Sequence, residues 1–253
     1  HLHELSFSRL LKINSINLNN NQIIMLNKEF INLTNLEKLY LSNNPLASLS
    51  NIGNIIKELD LSQTKINFEN FSLMNDLTYL LDLDLSNNKM NRKILQNLNI
   101  TRSKKLKRLI LIGIGLKSND SIKFLDNFEL LEELDLSDNS FRKDDGKFMQ
   151  NSLNLKILKL RNCSLRIINY IFLDLTFKSL EYLDLSYNNI KEISLNKLEK
   201  SLEFLNLSHN NISNLGFYKK INTTDLSFNN FTSIMLMPVD NLLINNNNLK
   251  DLS

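Results

Sequence analysis

The chain has one cysteine, two prolines, five glycines, three histidines and no tryptophan in 253 residues, and the scarcities remove whole classes of function. A lone thiol, Cys163, cannot form an internal disulfide, and a buried thiol is ordinarily inert, so no redox centre is expected. Of the imidazoles, His1 and His3 stand at the start of the chain and His209 lies in a background of Ser and Asn. No base stands ready beside a nucleophile, so no catalytic residue is assigned and the chain is not read as an enzyme. The turn at Asp144, Asp145 and Gly146 matches no phosphate or metal motif, and neither a cofactor nor a metal is expected. Charge of one sign is lacking too: 30 Lys and Arg against 27 Asp and Glu leave +3, with the signs interspersed. That balance predicts no nucleic-acid partner and no membrane contact by this segment. Apolar runs such as 109–114 fall far short of the roughly 18 residues that cross a bilayer. Asn, by contrast, makes up about 17% of the chain, a skew that is partly coding bias and partly the repeat described next.

One frame recurs throughout. Leu-x-x-Leu-x-Leu-x-x-Asn-x-Leu begins at Ile13, Leu36, Ile56, Leu80, Leu106, Leu131, Leu155, Leu180, Leu202, Ile221 and Val239, in steps of 18 to 26 residues. Alternation at Leu59 and Leu61, Leu83 and Leu85, Leu134 and Leu136, and Leu183 and Leu185 predicts a short strand with one buried face, because side chains alternate along a strand. One such unit cannot bury its own leucines, so successive coils must stack and align their strands in parallel. The expected fold is an α/β solenoid: a curved array of about eleven repeats with a parallel β-sheet on the concave face and short helical or irregular segments on the convex face. A single domain over 1–253 follows, with frames from about 13 to 249.

At the ninth frame position stand Asn21, Asn44, Thr64, Asn88, Ile114, Asn139, Cys163, Asn188, Asn210, Asn229 and Asn247. A primary amide both donates and accepts, so the column can satisfy backbone groups where each coil turns out of its strand. Ile114 offers no hydrogen bond. A backbone group left unpaired there would cost about 1–3 kcal/mol, and a locally irregular repeat is expected.

The chain resembles the leucine-rich repeat family from about Ile13 to Leu249. Segments such as Phe30-x-x-Leu33-x-x-Leu36 look like extracellular repeats of the kind found in Toll-like receptor ectodomains and insect leucine-rich immune proteins. The resemblance implies a recognition module, the ectodomain of an immune or adhesion receptor or a secreted relative, that binds a protein or microbial ligand and has the option of dimerisation. N-glycosylation sequons at Asn32, Asn70, Asn99, Asn119, Asn162, Asn211, Asn222 and Asn230 agree with an extracellular or cell-surface location. A further sequon, at Asn206, falls between two strand leucines, where a glycan would cover the sheet face. Without the Cys-rich caps common in extracellular members, an intracellular scaffold docking a protein partner is the alternative. A regulatory appendage to a catalytic domain is a third. The half-repeat before Ile13 suggests an excerpt lacking both caps.

Departures from the repeat background mark candidate ligand-binding residues. Tyr182 and Phe204 occupy the third position of adjacent frames, and Tyr187, His209 and Phe228 the eighth position of three consecutive frames. Stacking is expected to gather all five into one aromatic patch, and exposed rings tend to mark interfaces. Lys107, Arg108, Lys159 and Arg161 bracket the acidic strand of Glu132, Glu133, Asp135 and Asp138 as a second candidate, which reads equally as neighbouring strands balancing charge. The Asp60, Asp84, Asp135, Asp184 and Asp225 column is read as repeat background, since Ile110 and Lys159 interrupt it where a cation would need ligands.

Overall fold

A computed structural model describes residues 10–26, 28–49, 52, 54–68, 77–90, 103–117, 125, 128–141, 154–168, 177–193, 201–215, 220–233 and 238–250. They fall into two compact units, His1–Ile114 and Gly115–Ser253. The boundary lies immediately after Ile114, the residue that departs from the asparagine column.

In the first unit, five strands occupy the third to fifth positions of their frames: β1 Ser15–Asn17, β2 Lys38–Tyr40, β3 Glu58–Asp60, β4 Asp82–Asp84 and β5 Arg108–Ile110. They pair in parallel with leucine opposite leucine, Leu39 against Leu59, Leu59 against Leu83 and Leu83 against Leu109. A slip of one residue would turn every leucine to solvent, so burial itself fixes this register. The second unit carries β6 Glu133–Asp135, β7 Ile157–Lys159, β8 Ile167–Ile168, β9 Tyr182–Asp184, β10 Glu192–Ile193, β11 Phe204–Asn206, β12 Ile221–Asp225 and β13 Val239–Leu243. Strands β6, β7, β9, β11, β12 and β13 continue the frame pattern in that order, while β8 and β10 form a separate two-stranded parallel sheet. A 3-10 turn spans Lys28–Asn32, and among the described residues no helix is long and apolar enough to cross a membrane.

The core is a stack of apolar layers. Phe30, Leu33 and Leu36 are all buried, and tight turns from Leu33 N to Phe30 O (3.2 Å) and from Leu36 N to Leu33 O (3.0 Å) bring them inward. Leu125, Phe128 and Leu131 repeat the arrangement at 3.1 and 3.2 Å. Where Ser103 takes the place held by Leu33 and Phe128, its buried hydroxyl donates to Leu77 O at 2.7 Å, so the polar atom is satisfied.

The asparagine column works as expected. Asn188 donates through Nδ2 to Leu160 O (2.8 Å) on the preceding coil and to Leu185 O (2.9 Å) and Ser186 O (3.1 Å) on its own. Its Oδ1 accepts from Cys163 N (2.9 Å) and Leu165 N (3.0 Å). Asn44, Asn88, Asn210, Asn229 and Asn247 likewise reach across to a carbonyl of the preceding coil. Thr64 spends its hydroxyl on Leu61 O at 3.1 Å, and the Cys163 thiol donates to Leu136 O at 3.2 Å.

Ile114 does not leave the expected orphan. In ordinary coils the amide two residues past the ladder donates to the next asparagine's Oδ1, as Ile190 N does to Asn210 and Ile212 N to Asn229, both at 3.0 Å. Opposite Ile114 and Cys163 that amide turns to a backbone carbonyl instead: Met90 N donates to Ile114 O (3.0 Å) and Phe141 N to Cys163 O (2.8 Å). Both departures share a device. The following residue, Gly115 (φ 87°) or Ser164 (φ 60°), is left-handed, which swings the ladder residue's carbonyl toward the preceding coil. Strand β5 remains regular, so the irregularity is confined to the turn.

A second backbone column was not foreseen. The eighth position of every frame has positive φ, between 52° and 61°: Asn20, Asn43, Gln63, Asn87, Gly113, Asp138, Asn162, Tyr187, His209, Phe228 and Asn246. Gly, Asn, Asp and His tolerate this region, whereas Tyr and Phe are strained in it.

Candidate interaction surface

Three coils of the second unit therefore carry rings at a left-handed position. Tyr187 stacks on His209 with centroids 3.9 Å apart and an 18° tilt, and His209 stacks on Phe228 at 4.1 Å and 11°. The Arg161 guanidinium caps the row, 3.8 Å above the Tyr187 ring. Tyr187 and Phe228 are exposed, at 43% and 42%. A left-handed residue with a Cβ costs about 1–2 kcal/mol, and offset stacks return about 0.5–1.5 kcal/mol per pair, so the arrangement gains the fold little.

The third-position rings form a separate stack. Tyr182 and Phe204 lie 4.9 Å apart at 15°, on neighbouring strands β9 and β11. They begin their strands, whereas the other row lies past the strand ends, and among the described residues no ring contact joins the two. Burial, with Asp184 beside it, raises the Tyr182 phenol above its ordinary value. The expected single patch is thus two stacks with Arg161 added to one of them, a neighbour that sequence reasoning did not connect to the rings.

Several cations near the strands pair with an acid on a neighbouring coil, although β3 and β4 set Glu58 opposite Asp82 and Asp60 opposite Asp84. In the first unit Lys38 Nζ meets Glu58 at 2.6 Å and Arg108 reaches both Asp82 oxygens at 3.0 and 3.1 Å. In the second, Lys159 meets Glu133 at 3.0 Å and Asp135 at 3.9 Å, and Lys156 meets Glu132 at 2.8 Å. Lys107 is exposed beside β5. Tyr40 donates its hydroxyl to Glu58 at 2.5 Å, which pushes the phenol up to about 12, while the Lys38 and Tyr40 hydrogen bonds hold the Glu58 carboxyl below its ordinary value. The fifth-position acids cap backbone: Oδ1 of Asp60, Asp84, Asp135, Asp184 and Asp225 accepts from the Ser amide two residues on, at 2.8 to 2.9 Å. Asn206 does the same for Ser208 at 3.0 Å.

The family description Leucine Rich Repeat matches residues 35–55, 179–200 and 201–218. Together with parallel strands at the same place in all eleven frames, this decides the architecture. The chain is a leucine-rich repeat array. Among solved structures it is similar to an internalin, InlF of Listeria monocytogenes (TM-score 0.66, 20% identity, 97% of this chain and 71% of that one). It is also similar to the functional domain of InlJ from Listeria monocytogenes (0.63, 17%, 96% and 56%) and to TLR13 in the TLR13-ssRNA13 complex (0.62, 21%, 96% and 44%). The array spans 56% and 44% of the length of these last two. Identities this low speak to the fold. No curated protein matches the sequence.

Of the repeats' sequons, Asn70, Asn99 and Asn119 lie outside the described residues. Asn32, Asn211 and Asn230 are exposed, as are their hydroxyl partners Thr34, Ser213 and Thr232. Asn162 is exposed but donates to Asp138 Oδ1 at 2.8 Å. Asn222 is half-buried in β12, bonded to Glu203, and the Thr224 of its sequon is fully buried. Asn206 is half-buried, with its Oδ1 held by Ser208. Cys163 is buried, and burial pushes its thiol up to about 12, so the thiolate needed for nucleophilic chemistry does not form at neutral pH.

Proposed function

We propose that this leucine-rich repeat array is a recognition module at the cell surface or in the extracellular space, part of an immune or adhesion receptor or a secreted relative, that engages a protein or microbial ligand through the Tyr187–His209–Phe228 row. The carrying observation is the placement of Tyr187 and Phe228, exposed and left-handed, at positions where Asn is the repeat's habitual and less strained choice. Strain retained at an exposed site points to use of the side chain. Large rigid rings bury area at small entropy loss, the property that makes them interface anchors. Arg161 extends the row, and Tyr182 with Phe204 supplies a second, less exposed contact. Accessible sequons at Asn32, Asn211 and Asn230 support the extracellular setting, as does the likeness of fold to internalins and TLR13.

Two measurements test the proposal. Tyr187→Asn with Phe228→Asn trades stacking for backbone relief, so the unfolding free energy should change by no more than about 1 kcal/mol. A loss of about 3 kcal/mol or more would assign the rings to stability and remove the surface. Secretory expression followed by glycosidase should lower the mass, with glycans mapped to Asn32, Asn211 and Asn230. An unchanged mass overturns the extracellular setting in favour of an intracellular scaffold.

A further inference from the structure

Arg161 differs from the cations that pair with acids on neighbouring coils. Lys38, Lys57, Arg108, Lys156, Lys159 and Lys220 each lie within 3.0 Å of a carboxylate oxygen. Among the described residues Arg161 has none. Asp138, the acid one coil before Asn162 in the eighth-position column, takes the Asn162 amide at 2.8 Å. Arg161 lies instead on the Tyr187 ring, with a single long contact from Nη1 to Ser186 Oγ at 3.4 Å.

Stacking holds a guanidinium by its face and leaves its donors in its own plane, where a carboxylate can be met by two parallel N–H groups. The rings beside it favour the same sign of partner. A parallel stack turns ring edges to solvent, and the edge is the positive side of the aromatic quadrupole. The faces are taken: Tyr187 lies between Arg161 and His209, and His209 between Tyr187 and Phe228. A planar ligand that needs an open ring face, such as a nucleobase or a sugar, finds neither of these available. Successive centroid separations of 3.8, 3.9 and 4.1 Å make the row as long as about four residues of extended peptide at ~3.3 Å each.

We infer that Arg161 is a carboxylate-binding fork at one end of an apolar strip, and that the partner presents an Asp or Glu side chain within a peptide segment, followed within about four residues by apolar side chains that lie along the edges of Tyr187, His209 and Phe228. This rests on the row being the contact surface. It adds the chemistry of what is bound there, and a direction, acid toward Tyr187 and apolar residues toward Phe228.

A phage-displayed random peptide library selected on the full chain tests both. Enriched peptides should carry an acid a few residues from apolar side chains, and changing that acid to its amide should weaken binding about tenfold or more. Arg161→Gln, which removes the charge, and Arg161→Lys, which keeps it but loses the planar fork, should each weaken the parent peptide to a similar extent. Neither should weaken the amide peptide further. If enriched peptides lack an acid, or bind Arg161→Gln unchanged, yet are lost on Tyr187→Asn with Phe228→Asn, the fork is wrong and the surface stands. Peptides indifferent to the ring substitutions, or no enrichment at all, overturn both.

Discussion

Replacing Asn188 by Leu, close in volume, tests whether the ladder amide is the main tie between coils. Asn188 is 6% exposed, and its Oδ1 is the acceptor for two amides, Cys163 N at 2.9 Å and Leu165 N at 3.0 Å. Leucine would strand both. The carbonyls lose less, because Leu185 O also accepts from Asn210 Nδ2 at 3.0 Å. Two buried donors at about 1–3 kcal/mol each give an expected loss of about 2–6 kcal/mol, a large part of the ~5–15 kcal/mol typical of a folded domain. Chemical denaturation followed by tyrosine fluorescence and circular dichroism reads it directly. The Ile114 and Cys163 coils suggest a rescue. There the amide finds the ladder residue's own carbonyl because the next residue is left-handed, and at Asn188 the next residue, Asn189, is not. Asn189→Gly should therefore restore part of the loss in the Asn188→Leu background while leaving the parent chain unimproved, since there Asn189 N donates to Leu165 O at 2.8 Å. A loss below about 1 kcal/mol for Asn188→Leu, or no rescue by glycine, would refute this account of the ladder.

Two further substitutions probe buried polar atoms. Thr224 stands where other frames place Leu or Ile, fully buried, and its Oγ1 has no hydrogen-bond partner. Thr224→Val should stabilise the array by about 1 kcal/mol, and destabilisation in the same denaturation assay would show that the hydroxyl is satisfied. Burial, with Asp60 on the adjacent strand, pushes the Asp84 carboxyl above its ordinary value of 3.8. Because the folded pKa is the raised one, its contribution to stability is greatest below 3.8 and is lost as pH rises through the folded value. Asp84→Asn keeps an acceptor for Ser86 N, as Asn206 does for Ser208 N, so it should raise the melting temperature at neutral pH and flatten the acid limb of the stability profile. A lower melting temperature at neutral pH would mean that the charge itself is needed.

What could be read from residues alone follows from what periodicity encodes. The strand of each frame covers its third to fifth positions because the leucine spacing states which side chains must be buried, and burial fixes register. Adjacency of Tyr187, His209 and Phe228 was legible for the same reason: coils in register put equal frame positions side by side. Backbone handedness was not legible. Apolar spacing carries no information about φ, and Tyr187 and Phe228 argue against a left-handed position by type. The carbonyl switch at Ile114 had a trace in the run Gly113-Ile114-Gly115, where two glycines flank the departure. At Cys163 the same switch is made by Ser164, which carries no such mark. In the sequence Arg161 looks like one of four cations facing acids, because its seventh-position place beside Ser186 and Tyr187 depends on turn geometry and not on strand alternation.

The columns differ in what a substitution can do. At the fifth position the Asp residues, and Asn206, are committed to the Ser amide two residues on, while Lys159, which takes the acid's place in β7, meets Glu133 on the neighbouring strand. At the ninth a change must be absorbed by the backbone, as it is at Ile114 and Cys163. The eighth position is free of both duties: its left-handed backbone is needed for the turn, and all ten of its residues other than Gly113 keep that φ whatever their side chain. Side chains there can vary with little consequence for the fold, while the coil spacing stacks them into a continuous row. The eighth column is therefore a place where a repeat protein can acquire a contact surface by substitution alone, and three aromatic residues in successive coils, with an arginine 3.8 Å above the first ring, are the form we propose that surface takes in this chain.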